Sequence, residues 1–240
     1  MENNISAMEN INIRYFSDVM CIWAYVAQAR LDELQGQYKN QVSVSYHFIS
    51  IYGNTEKRVV KHWAERGGIS AYICYVRGVA DDFGHVRISD RFWREGKGPN
   101  SSAAVHLFLK SVANLIDKNK IDNSPQDYLN GKTIYEELIW RCRKRYFTDG
   151  VNIGLLKNQL QIAAELKLPL EGIREGIEDG SAFAAMCEDN ELKEKYRIEG
   201  SPTYVLNEGR QKLYGNVGYN IIAANIEELV NRPEGGASWC

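Results

Sequence analysis

Residues 11–49 read as a strand, a helix and a second strand, and no other feature limits so strongly what this chain can fold into. In Ile11-Asn12-Ile13-Arg14-Tyr15-Phe16, apolar and aromatic residues alternate with polar ones, the period of two that a half-buried strand requires. Val26, Ala29, Arg30, Leu31 and Leu34 then recur at helical spacing, and Gly36 is expected to end the run. Val42-Ser43-Val44-Ser45-Tyr46-His47-Phe48-Ile49 alternates again. Two strands joined through a helix are expected to pair in parallel with a right-handed crossover.

Cys21 falls where the first strand hands over to the helix and is expected in the helix's first turn. Unpaired backbone N–H groups there point at the sulfur, and the helix dipole adds about half a positive charge. Both favour thiolate, so the thiol is expected to ionise below its ordinary value of about 8.5. The alternative is a small buried hydrophobe, since free cysteines are among the most buried residues.

The remaining cysteines do not suggest a disulfide scaffold. Five of them, at 21, 74, 142, 187 and 240, are scattered and odd in number, with neither a disulfide framework nor zinc-ligand spacing. Residues 1–6 show no secretory signal, and no stretch approaches the apolar length of a membrane span, so the expected location is a reducing cytoplasm. A net charge of −2 on 240 residues gives no reason to expect nucleic acid or a membrane surface as partner.

Beyond residue 55 strand-like alternation stops. Six or seven helices are expected up to Lys195, broken at Gly67-Gly68, at residues 95–100, at Ser124-Pro125, at residues 148–150 and at Leu168-Pro169. After Gly200-Ser201-Pro202, Thr203–Asn207 and Gln211–Tyr214 flank Glu208-Gly209-Arg210 as a hairpin, and Ile221–Val230 closes the chain as an amphipathic helix. Residues 1–10 and the tail ending in Trp239-Cys240 are expected to be frayed.

This order, βαβ at the front and ββα at the back around a helical block, resembles an α/β thioredoxin fold with a large all-helical insertion. Three segments resemble the DsbA-like branch of that superfamily, whose relatives include FrnE-like thiol oxidoreductases, 2-hydroxychromene-2-carboxylate isomerases and kappa-class glutathione transferases. Asp18-Val19-Met20-Cys21-Ile22-Trp23-Ala24 is similar to its active-site turn, Gly200-Ser201-Pro202-Thr203-Tyr204-Val205-Leu206 to its cis-proline strand, and Pro99-Asn100-Ser101 to a turn near the catalytic cysteine. The resemblance implies a thioredoxin-like domain of residues 11–54 plus 185–231, a helical insertion of 55–184 and a flexible tail of 232–240. It implies Cys21 as catalytic residue, a cis bond before Pro202, and Trp23, Ala24, Asn100, Ser201, Pro202 and Asn216 as substrate-binding residues.

The departures shape the expected chemistry. A dithiol enzyme releases its mixed disulfide with a second cysteine three residues on, where this chain has Ala24, and Ile22 replaces the usual proline. Cys21 can attack a disulfide yet cannot resolve the product locally, so a small thiol must do so, or Cys240 at the end of the tail. Val217 stands where glutathione-binding relatives carry a charge for the γ-glutamyl amine, leaving Glu199 or Glu208 as substitutes. The first reading is therefore a cytosolic monothiol DsbA-like oxidoreductase. The second is a glutathione-dependent isomerase or transferase, and the third a non-catalytic binding module. No tightly bound cofactor and no metal are expected. Glutathione is a candidate co-substrate, and the expected partners are a small thiol, disulfide or electrophile, a peptide, or a second copy in a homodimer.

The other candidates have ordinary explanations. Cys74 and Cys187 have apolar helical surroundings and are expected in the core. Cys142 lies in the basic run Arg141-Cys142-Arg143-Lys144-Arg145, which reads as a solvated helix face. The four histidines give no ligand pattern; His47 could approach the site, although a hydrogen-bonded structural role is the commoner one.

Overall fold

The computed structural model describes residues 10–89, 91–94 and 98–231, so Trp239 and the expected resolving thiol Cys240 lie outside the described residues. Four strands form one sheet in the order β2-β1-β3-β4, with β1 Ile11–Ser17, β2 Val42–Phe48, β3 Thr203–Leu206 and β4 Gln211–Tyr214. The β1–β2 pair is parallel, as the intervening helix α1 (Ile22–Tyr38) requires, while β3 runs antiparallel to both β1 and β4.

Strand alternation explains the two faces. Ile11, Ile13 and Tyr15 of β1 point into the main core with Val42, Tyr46, Tyr204 and Leu206, whereas Phe16 turns the other way to join Ile49, Ile198 and Val205. Register places Tyr15 beside Tyr46 on one neighbour and Tyr204 on the other, with ring centroids 6.1 and 5.0 Å apart. Such cross-strand aromatic neighbours stabilise a sheet beyond the area they bury.

Seven α-helices lie between β2 and β3 among the described residues: α2 Gly68–Asp81, α3 Arg91–Arg94, α4 Ala103–Asp117, α5 Ile134–Phe147, α6 Leu156–Glu165, α7 Leu170–Glu178 and α8 Ser181–Lys195. The closing helix, α9, spans Tyr219–Asn231. A capping box starts α5, Thr133 accepting from the Glu136 N–H and Glu136 from the Thr133 N–H. Buried Asp189 of α8 fastens the helices to the sheet: it accepts from Lys110 Nζ of α4 at 2.7 Å, from the Phe48 N–H at 2.7 Å, and pairs with His47 Nδ1 at 2.8 Å. His47 thus has the hydrogen-bonded structural role.

Several expectations need correction. Helix α1 passes Gly36 and ends at Tyr38, whose buried ring and hydroxyl bond to Glu227 of α9 outweigh the roughly 1 kcal/mol that an interior glycine costs. Cys74 and Cys187 are exposed rather than core. Helix α2 turns Tyr72, Ile73 and Val76 inward and Cys74 outward, and α8 buries only Ala182 and Asp189. The basic run on α5 is not a single solvated face. Cys142 and Arg143 are fully buried, while Arg141 and Arg145 pair with Glu137, Asp149 and Glu165. Burial lifts the Cys142 thiol to about 12, so it stays protonated.

Arg143 lies beneath the tyrosine row, its guanidinium carbon 6.0 Å from the Tyr15 ring centre. It donates to Ser17 Oγ at the end of β1 and to the Gln28 carbonyl oxygen on α1. The arginine thereby holds together the two elements that flank the cysteine turn.

Among the described residues, no helix is long and apolar enough to cross a membrane.

Candidate functional site

The turn from β1 into α1 is built on Asp18, which is fully buried. One carboxylate oxygen accepts the Met20 N–H at 2.8 Å. The other accepts the Tyr52 N–H at 2.8 Å and the Ser102 hydroxyl at 2.7 Å, and the Asp18 N–H donates to Ser201 Oγ at 2.9 Å. One side chain and its own amide thus join the cysteine turn, the loop after β2, the start of α4 and the loop before β3. His106 lies 3.7 Å from the same carboxylate. Its Nε2 accepts the Val19 N–H at 3.3 Å, so that nitrogen carries no proton, and burial lowers its pKa. The Asp18 carboxylate is therefore met by amide and hydroxyl donors and not by a cationic side chain.

Cys21 is the N-cap of α1, one residue before the helix rather than within its first turn. Its Sγ is 3.2 Å from the Ser201 carbonyl oxygen, to which the thiol donates, and the Ser201–Pro202 peptide is cis. The N–H groups of Trp23 and Ala24 do address the sulfur, as the helix-terminus argument anticipates. Even so, the expected low pKa is reversed. Burial raises it and is the largest effect. The Ser201 hydroxyl and the two N–H groups pull it back, and the charge on Asp18 pushes it up again. At rest, then, the sulfur is a thiol.

The thiol is 6 % exposed, yet it is not sealed. It lies at a cleft of about 410 Å³ whose lining includes Trp23, Tyr52, Tyr72, Tyr75 and Trp63. The Trp23 Nε1–H donates to Tyr75 Oη at 2.9 Å, and Trp63 packs on Tyr72 and Tyr75 with ring centroids 5.6 and 5.4 Å away. Arg58, His62 and Arg66 face the cleft from the helical turns that precede α2, at a spacing of four that puts all three on one side. Glu199, Gly200, Ser201 and Tyr214 line the same cleft. Gly200 has a specific reason to be glycine: a Cβ there would meet the Tyr214 hydroxyl at 2.6 Å.

Of the expected binding residues, Trp23 and Ser201 line this cleft and the others do not. Pro202 is buried behind Ser201, its carbonyl accepting the Gly215 N–H at 2.8 Å. Ala24 is completely buried, so only its backbone reaches the sulfur. Asn100 faces a separate groove with Asn54, Thr55 and Trp93. Its loop serves the site through Ser102 instead, because the Thr55 amide and hydroxyl hold Asn100 and Pro99 by their carbonyls. Asn216 is exposed in the turn after β4, and Tyr214, two residues earlier, faces the cleft in its place. Of the two candidate carboxylates, Glu199 lies in the cleft, whereas Glu208 is held by Arg14 and Tyr196. Sequence reasoning missed the Arg58, His62, Arg66 ledge, although its fourfold spacing was visible.

No protein-family model matches this chain, and no curated protein sequence matches it. Solved structures do. A Nitrosomonas europaea protein described as a candidate protein disulfide isomerase superposes with a TM-score of 0.71 at 12% identity, covering 95% of this chain and 100% of its own. A 2-hydroxychromene-2-carboxylate isomerase gives 0.64 at 12%, covering 92% and 97%. The cytosolic disulfide reductase DsbM of Pseudomonas aeruginosa, also solved with GSH, gives 0.60 at 19%, covering 90% and 98%. The fold is accordingly the thioredoxin fold with inserted helices, in the form that DsbA-like proteins share.

Proposed function

We propose that the chain is a monothiol DsbA-like thiol–disulfide exchange enzyme that works on small molecules. The observation that carries this reading is the Cys21 sulfur, 3.2 Å from the Ser201 carbonyl beside a cis-proline, at the floor of an open cleft. The sulfur attacks one sulfur of a bound disulfide, and the substrate S–S bond breaks as the new one forms. The leaving thiolate takes up the proton that Cys21 gave up. Ala24 has no sulfur, so a second small thiol from solution resolves the adduct and regenerates the Cys21 thiol. Glutathione suits that role: Arg58 and Arg66 offer charge to its carboxylates, and Glu199 of the same cleft offers it to the amine.

The same charges favour one second reading, a glutathione-dependent isomerase, because a thiol donating to Ser201 could also be displaced by a bound thiolate. Incubation with glutathione disulfide and peptide mass mapping tests the first reading. The expected adduct is on Cys21, reversed by glutathione and absent in Cys21→Ser. An adduct confined to the exposed Cys74 and Cys187 would overturn it.

A further inference from the structure

We propose that His62 accepts the Cys21 proton as the sulfur attacks and returns it to the leaving thiolate. The inference rests on the exchange reading above and adds a proton acceptor to it. A buried thiol hydrogen-bonded to a carbonyl needs one, since the Ser201 oxygen holds the proton without removing it. Asp18 does not serve, because its oxygens are turned to the Met20 and Tyr52 amides and the Ser102 hydroxyl, away from the cleft lining.

The other histidines are committed elsewhere. His106 is fully buried, with Nε2 on Val19 and Nδ1 on Ser50; His47 is held by Asp189; His85 bonds the Val26 carbonyl. His62 alone of the four lines the cleft with Cys21. It is exposed, and neither ring nitrogen has a protein hydrogen-bond partner among the described residues. Trp63, packed on Tyr72 and Tyr75, fixes the turn that carries it.

The other charged and titratable groups lining the cleft that Cys21 and His62 share are Arg58 and Arg66 from the His62 ledge, Glu199, Tyr214, Tyr52, Tyr72 and Tyr75. Burial keeps Tyr52 and Tyr72 protonated, so they do not compete as bases. Glu199 is the competing acceptor in the cleft, and separate variants distinguish it from His62.

The step balances without an outside oxidant. The Cys21 S–H proton passes to the imidazole, the Cys21 sulfur bonds one substrate sulfur, and the old disulfide breaks. The departing sulfur then takes the proton from the imidazolium. One disulfide is consumed and one is made.

The test is the rate at which glutathione disulfide labels the Cys21 peptide, followed across pH in the full chain. Wild type should show two ionisations, and His62→Gln should lose one of them and react about a hundredfold more slowly at neutral pH. Added imidazole should restore the rate in His62→Ala, which merely structural damage would not allow. Glu199→Gln should keep both ionisations. A His62→Gln profile like that of wild type, or an ionisation lost in Glu199→Gln instead, overturns the proposal while leaving exchange at Cys21 intact. Failure of wild type to label at Cys21 removes the exchange reading and this inference together.

Discussion

Asp189, against the end of β2, and Asp18, just past the end of β1, are both buried carboxylates, and they are compensated in opposite ways. Asp189 is paired with the Lys110 ammonium, hydrogen-bonds with His47 and accepts one backbone amide. Asp18 is equally buried but accepts only from two amides and a serine hydroxyl. Hydrogen bonds satisfy both, and only the first has a cation to cancel its field. Asp189 thus works as a joint between helices and sheet. Asp18 joins four segments as well and also leaves a negative charge that opposes ionisation of Cys21. Burial, and after it the charge on Asp18, together keep the Cys21 sulfur a thiol at rest.

The largest effect expected from breaking this contrast is at the joint. Asp189→Ala strands a buried Lys110 without its partner and should cost about 3–5 kcal/mol of folding stability, read as a lower denaturant midpoint. A loss below about 1 kcal/mol would mean that Lys110 finds water on its own. Asp18→Asn is expected to cost less, about 1–3 kcal/mol, because an amide offers one acceptor oxygen to three donors. Its distinguishing result is at the neighbouring residue. Removal of the negative charge should lower the Cys21 ionisation, followed by thiolate ultraviolet absorbance against pH. No downward movement would leave burial as the whole cause of the raised thiol.

His106 offers a third and gentler test of the same floor. Burial depresses its native-state pKa, so the unfolded chain takes up a proton at a higher pH than the folded one. Its contribution to stability is therefore complete above the unfolded value of about 6.5 and declines as pH falls from there toward the depressed native value. Thermal unfolding across mildly acidic pH should show that decline, and His106→Gln should flatten it. If the slope survives the substitution, another group carries it.

Much of the fold was legible because it is local. Alternation at 11–16 and 42–49, the hairpin signal at 208–210 and the order of elements all map onto observed strands. The cleft was less legible because its walls come from distant segments. Nothing in Pro99-Asn100-Ser101 reveals that Ser102, and not Asn100, reaches Asp18. Ala24 and Cys21 occupy the expected turn, but no local rule shows how deeply the helical block buries them, and that burial reverses the thiol's expected acidity. Charge runs misled for a related reason. Arg143 reads as surface in sequence, yet the tyrosine row, Ser17 and Gln28 receive it inside.

The smallest expected effect separates buried charge from exposed charge. Arg58 and Arg66 are exposed at the cleft, in water, where a charge is worth little and is screened within about 10 Å at 0.1 M salt. Arg58→Gln should therefore slow labelling of Cys21 by an anionic disulfide only about two- to fivefold at low salt, and the difference should fade at high salt. A neutral disulfide should show no such difference under either condition. The shift caused by Asp18→Asn should persist at high salt, because no counterion reaches a carboxylate enclosed on every side. Salt thus assigns each charge its region: an Arg58→Gln defect that high salt leaves intact would mean that the guanidinium works inside the closed site, with the floor and not with the rim.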